Sequence, residues 1–283
     1  MPLNRRQFIR CSLGSAALGA MTLNETIASA GRRPPPIPVA FQLYTVRGEF
    51  SRDVPRTLQV LSELGYAGVE FWGYDGTPNV YQQHSAQELR NLLDRNGLRC
   101  CGMHLTVKAL NADNIERTME NNRVLGNEYL NVAAAQDLMA SVESIDRFAA
   151  LLTAAAEKCG PQQMKVGYHA HPFDFAKVHG LFAWELLFSR LSPQINMQMD
   201  VGNGLAGNGD PIAMLKEFPG RTRSIHIKEH QDKSFDSDFY REIFRLCETA
   251  CGTKWYIVEM GGADGNGFEV PRAALAKLRR LGK

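Results

Sequence analysis

The chain has 283 residues, of which 44% are hydrophobic and 22% charged, with a formal net charge of +2. That is ordinary globular composition, long enough to bury one sizeable core. Beyond the N-terminus no run is long and apolar enough to span a membrane.

The first thirty residues differ from the rest. Asn4-Arg5-Arg6-Gln7-Phe8-Ile9-Arg10 precedes an Ala/Gly-rich apolar run from Leu13 to Leu23, and Ala28-Ser29-Ala30 offers the small residues of a signal-peptidase cut. Paired arginines followed by Phe resemble a twin-arginine export signal. Charge and hydrophobicity are segregated end to end here, which an amphipathic first helix would not do. Residues 1–30 are therefore expected to be removed, leaving a periplasmic or secreted protein with no stable membrane anchor. Removal takes away Arg5, Arg6, Arg10 and Glu25, so 29 of the 32 basic and 29 of the 30 acidic residues remain. A neutral mature chain carries no electrostatic footprint for DNA, RNA or anionic lipid.

Residues 31–38 (Gly-Arg-Arg-Pro-Pro-Pro-Ile-Pro) read as a polyproline-like linker. After it, strand-like runs at 39–46, 66–72, 99–105, 128–133, 165–171, 195–201, 222–228 and 254–260 alternate with amphipathic helical runs. The helical runs are 54–64, 86–96, 112–125, 142–158, 181–191, 211–218, 238–250 and 271–281. Gly65, Gly97, Gly126 and Gly160 stand where C-terminal glycine caps belong. Eight such units match a (β/α)₈ TIM barrel of about 250 residues, an α/β fold, as a single domain over 39–283. A doubly wound open sheet would carry a Gly-rich phosphate loop after its first strand, and Tyr44-Thr45-Val46-Arg47-Gly48 is not one. Five cysteines remain after Cys11 leaves with the signal, an odd number that points to buried thiols. Cys247 and Cys251, four apart on a helix face, are the one pair placed for a bridge.

Several strand candidates end in a metal-binding or proton-transferring residue, and such residues meet at one mouth of a barrel. Asp200, His226 and Glu259 close strands six, seven and eight, a mixed set suited to Mn²⁺, Co²⁺, Zn²⁺, Fe²⁺ or Mg²⁺. His169 and His171 share a strand face, being two apart. His169 is assigned as the fourth ligand and His171 as a substrate contact or acid/base, although the two could exchange roles. Glu70 and His104, ending strands two and three, could hold a sugar hydroxyl or act as base. Lys228, on the face of His226, could stabilise an enolate oxygen or simply pair with a carboxylate. Trp72, Tyr44 and Phe173 could stack on a sugar ring or belong to the core.

Gln42-Leu43-Tyr44-Thr45-Val46-Arg47, Gly68-Val69-Glu70, Tyr168-His169-Ala170-His171-Pro172-Phe173-Asp174-Phe175, Met199-Asp200-Val201-Gly202-Asn203, His226-Ile227-Lys228-Glu229 and Ile257-Val258-Glu259 together resemble the xylose isomerase-like TIM-barrel superfamily. That group holds sugar (phosphate) isomerases and epimerases, inosose dehydratase and endonuclease IV. The resemblance implies a divalent metal at the C-terminal mouth, bound by His169, Asp200, His226 and Glu259. One departure stands out, because epimerases of the group place a glutamate where His169 stands and use it as one of two bases. A metal-bound neutral imidazole has no lone pair left for proton abstraction. Single-base chemistry by Glu259, His171 or Glu70 survives, and the histidine-rich motif resembles the branch of inosose dehydratase and keto-sugar lyases or hydratases. No Arg/Lys cluster or glycine cradle marks a phosphate site, which favours an unphosphorylated sugar or keto-sugar. The expected activity is metal-dependent enolisation, as isomerase, epimerase, lyase or hydratase. A periplasmic sugar-binding or accessory protein without turnover is an alternative. Endonuclease IV-like repair is another, though it needs a richer metal cluster and a basic groove. The helix-side surface could form a homodimer.

Overall fold

The computed structural model describes residues 35–260 and 267–283. The export signal expected at 1–30 and residues 31–34 of the expected linker lie outside the described residues. Residues 35–38 carry no helix or strand, and residues 37–283 form one compact unit.

Eight strands build the central sheet: β1 (Val39–Gln42), β2 (Gly68–Tyr74), β3 (Arg99–Leu105), β4 (Tyr129–Val132), β5 (Lys165–His169), β6 (Asn196–Gln198), β7 (Ser224–Ile227) and β8 (Trp255–Val258). Every ladder between them is parallel, in the order β6, β5, β4, β3, β2, β1, β8, β7. The seam between β6 and β7 is joined by Met197 N–H to Arg221 O and His226 N–H to Met199 O, both at 2.8 Å. A single parallel bridge, Asp200 to His226, completes that seam. The result is the expected TIM barrel, nearly closed, with helices between its strands.

Helix boundaries follow local chemistry. Asp53 caps the helix Val54–Leu64 by accepting from Arg56 N–H, and Gly65 ends it in the left-handed region at φ 99°. Ser85 and Glu88 form a capping box on Ala86–Arg95. Gly126 also takes the left-handed cap, at φ 70°. Gly160 does not: its φ of −56° continues Val142–Cys159 into a 3₁₀ turn, and Gln163 at φ 62° makes the reversal instead. The extended runs expected at 43–46 and at 201 are helical. Leu43–Val46 is a 3₁₀ turn leading into the helix Arg47–Arg52, and Val201–Ala206 is a helix started by Asp200. The helix expected from 181 begins at Ala183, since Leu181–Phe182 pairs with Lys177–Val178 in a small antiparallel hairpin.

Strand residues alternate between two environments. Val39 and Phe41 pack outward into the large apolar layer under the helices. Ala40, Cys101, Tyr129, Trp255 and Ile257 form a separate buried cluster, the apolar plug of the barrel interior. Above that plug the inward face is polar. All five described cysteines are buried free thiols, Cys247 and Cys251 included, and no described helix is long and apolar enough to cross a membrane.

Candidate metal centre

Stepping two residues along a strand keeps a side chain on the same face. From Asn196 through Gln198 that step reaches Asp200, from Ser224 it reaches His226 and then Lys228, and from Gly167 it reaches His169. From Trp255 through Ile257 it reaches Glu259. Each of the four expected ligands is thus the last inward residue of its stave, delivered to the C-terminal mouth.

One donor atom each from His169, Asp200, His226 and Glu259 lie within 4.8 Å of one another. Ligand atoms about 2.1 Å from a common ion stand roughly 3.5 to 4 Å apart, so the spacing fits. His169 Nε2 is 3.6 Å from Asp200 Oδ2 and 3.6 Å from Glu259 Oε2. His226 Nδ1 is 2.8 Å from Glu259 Oε2 and 3.9 Å from Asp200 Oδ2. His169 Nε2 and Asp200 Oδ2 are buried with no hydrogen-bond partner. Buried polar atoms are seldom left unpaired, and two of them facing each other at a strand mouth fit a cation held between them.

Local bonds aim these atoms. Asp200 Oδ1 caps the helix Val201–Ala206, accepting from Asn203 N–H at 2.7 Å, which leaves Oδ2 for the site. His169 Nδ1 lies 3.3 Å from Ala133 O; donating there leaves the Nε2 lone pair free. His226 Nε2 lies 2.6 Å from Glu70 Oε2. Burial and the charge of His226 work against a proton on His169, but Asp200 and Glu259 outweigh them and raise its pKa. Burial opposes charge on His226 as well, yet Glu70 and Glu259 hold it up at about 10. Glu259 is held well below the usual carboxylate range, its burial overcome by bonds to His169 and His226.

Beside this group lies a second polar layer. Glu70 is 0% exposed; its Oε2 also accepts from Gln42 Nε2 at 2.8 Å, and its Oε1 from Gln198 Nε2 at 2.8 Å. His104, buried, donates from Nε2 to Gln198 Oε1 at 2.8 Å, stands 3.2 Å from Glu70 Oε2 and stacks on the His226 ring at 5.1 Å. Its Nδ1 faces Gln42 Nε2 at 3.4 Å, so both ring nitrogens are engaged. Burial pushes its pKa down to about 4. Burial likewise opposes charge on Glu70, but His104 and His226 bring its carboxyl to about 2.

The remaining expected residues fall around the mouth. His171 places its ring 4.9 Å from that of His169, with Nδ1 buried and unpartnered. Burial and the charge of His169 push its pKa down to about 4. Lys228 reaches Asn203 Oδ1 at 3.1 Å and Asp200 Oδ2 at 3.8 Å. A Cβ at Gly202 would stand 2.7 Å from Lys228 Cγ, so a bare backbone there lets the lysine stem lie across the helix start. Trp72 is half-buried and meets Tyr44, 46% exposed, edge-on at 5.8 Å; Phe50 and Tyr81 extend that aromatic wall. Phe173 stacks on His171 at 5.3 Å. Gln42, Gln198 and Asn203 were not singled out from sequence. A period-two reading backward from each ligand would have found Gln198, which precedes Asp200 by one inward step.

A family model described as "Xylose isomerase-like TIM barrel" matches residues 58–281. No curated protein matches. Among solved structures, a sugar phosphate isomerase/epimerase from Parabacteroides distasonis superposes with a TM-score of 0.73 at 20% identity, covering 88% of this chain and 96% of that one. A 3-keto-D-glucoside 4-epimerase from E. coli gives 0.62 at 15% identity, over 87% and 100% of the two chains. A probable 3-DHS dehydratase from Bacillus anthracis gives 0.57 at 14%, over 86% and 98%. At these identities the likeness is one of fold.

Proposed function

The chain belongs to the xylose isomerase-like TIM barrel family, and from that premise we propose that it enolises an unphosphorylated sugar or keto-sugar with a divalent metal. The outcome would be isomerisation, epimerisation, or elimination and hydration. The observation that carries this reading is the convergence of His169, Asp200, His226 and Glu259, with two of their buried donor atoms unpaired. Two of the similar structures are named for sugars, a sugar phosphate isomerase/epimerase and a 3-keto-D-glucoside 4-epimerase, which supports a sugar as substrate, and the third, a dehydratase, supports elimination among the outcomes.

Held by those four residues, Mn²⁺, Co²⁺, Zn²⁺, Fe²⁺ or Mg²⁺ would supply Lewis-acid polarisation of a carbonyl and its neighbouring hydroxyl. The chain's own groups then divide the proton work. Glu259, with its side chain 13% exposed, is the carboxylate placed to meet a substrate proton. His171, neutral above its pKa of about 4 and with Nδ1 unpartnered, is the second acceptor. The Lys228 ammonium, held by Asn203 beside Asp200, would stabilise the developing enolate oxygen. Tyr44 and Trp72 offer apolar faces for the sugar ring. With an imidazole at 169, no second carboxylate base comes from β5, and proton removal from one face suits elimination or single-base isomerisation.

The test is solvent exchange. Keto-sugars incubated in D₂O should take up deuterium at a carbon next to the carbonyl when metal is present, and uptake should stop on chelation. Glu259→Gln should lower the rate at least about 10²-fold, the lower range for a general base. Uptake that survives chelation would contradict the metal role, and full activity in the variant would remove Glu259. Sugar binding with no uptake at any pH would favour an accessory protein.

We further propose that residues 1–30 export the chain to the periplasm or exterior, on the strength of Arg5-Arg6 and the apolar run behind them. Replacing both arginines by lysine should leave uncleaved precursor in the cytoplasm; unchanged export would argue against the twin-arginine route.

A further inference from the structure

Glu70 poses a physical problem. A carboxylate with 0% exposure costs several kcal/mol of lost solvation unless it is fully paired, and this one is met from four other strands, with His104 of β3 3.2 Å from its Oε2. Gln42 of β1 and His226 of β7 bond its Oε2, and Gln198 of β6 bonds its Oε1. On β3 the position beside it is Gly102, where any Cβ would run into Glu70 Oε1. A register shift of β2 against β3 falls between Val69 and Glu70, an irregularity of the kind that re-aims a side chain. With both oxygens engaged and no exposed surface, Glu70 is not built to meet a substrate.

Its strongest contact is the one to His226 Nε2, at 2.6 Å. The opposite ring nitrogen, Nδ1, is the atom that faces Glu259 and Asp200. The neighbouring histidine is wired the other way round: His169 turns Nδ1 to the Ala133 carbonyl and presents Nε2 to the site. A neutral imidazole has one lone pair, so the nitrogen that holds hydrogen decides which one can ligate.

We propose that Glu70 is a positioning residue: by accepting from His226 Nε2–H it fixes the tautomer and ring orientation that commit Nδ1 to the metal. The proposal rests on the metal-centre reading. Gln42, Gln198 and the gap left by Gly102 hold the carboxylate on that line. Proton abstraction is left to Glu259 and His171.

Cobalt(II) and zinc(II) serve as probes. Cobalt titrated into the folded wild-type chain, followed by its visible absorption, should bind, and Glu70→Gln should weaken it by about 10- to 100-fold, the usual effect of removing an outer partner of a ligating histidine. In the zinc-loaded wild type, ¹⁵N NMR should show His226 ligated through Nδ1 and protonated on Nε2. In Glu70→Gln the His226 signals should move while those of His169 stay, a selectivity that a general packing defect would not produce. His226 ligated through Nε2 in the wild type overturns the proposal even if the variant fails to fold. Equal cobalt affinity in wild type and variant also overturns it while leaving the metal centre standing. No cobalt binding by the wild type overturns the metal reading and this proposal with it.

Discussion

Asp200 divides its carboxylate between two jobs: Oδ1 caps a helix through Asn203 N–H, while Oδ2 is buried toward His169 with no hydrogen-bond partner. Glu70 and His226 show the complementary arrangement, two buried groups that satisfy each other. Burial opposes both charges, but pairing lowers Glu70 from 4.5 to about 2 and raises His226 from 6.5 to about 10. The stability carried by Glu70 is complete above its unfolded value and is lost as pH falls toward 2. That carried by His226 is complete below its unfolded value and is lost as pH rises through 10. The two shifts share the Glu70–His226 contact and are not additive; His104 also lowers Glu70, and Glu259 also raises His226. The contribution of this pair to the metal-free protein, read as the difference in thermal midpoint between wild type and Glu70→Gln, should therefore be largest between about pH 4.5 and 6.5 and decline on both flanks. A difference that grows from pH 7 to 10 would contradict the pairing.

At the scale of elements, the candidate ligands sit where strands stop. Val201–Ala206 begins because Asp200 accepts from its first turn, so the residue that ends the β6 stave also starts the next helix. Asparagine caps as well as aspartate. Asp200→Asn should therefore leave the unfolding free energy of the metal-free protein within about 1 kcal/mol of wild type in urea melts, and a larger loss would show that the carboxylate does more than cap. The same local chemistry explains what could be seen in the sequence. The strand Arg99–Leu105 and the helix Val54–Leu64 were legible residue for residue, since Asp53, Pro55 and Gly65 punctuate the helix and apolar runs mark the strand. Residues 43–46 and 201 were misread as extended because apolar content alone does not tell a strand from a short helical turn. The hairpin Lys177–Val178 with Leu181–Phe182 is too short to leave a periodic signal.

At the scale of the molecule, closing the barrel makes the site. β6 and β7 meet through the Asp200–His226 bridge, so the seam of the fold brings two of the four candidate ligands side by side. The convergence of the four candidate ligands was readable because each ends a strand-like run. The layer behind them was not. Glu70 lies 156 positions from His226 and 128 from Gln198, and pairings across that distance follow from register and the β2 irregularity, which no local pattern encodes. The central claim is that this convergence binds a divalent ion, and metal titration of the folded chain tests it most directly. The wild type should hold a single ion per chain tightly and Asp200→Asn none at the same concentration, with the fold intact in both. A wild type that takes up no ion, or a variant that binds it equally well, would contradict it.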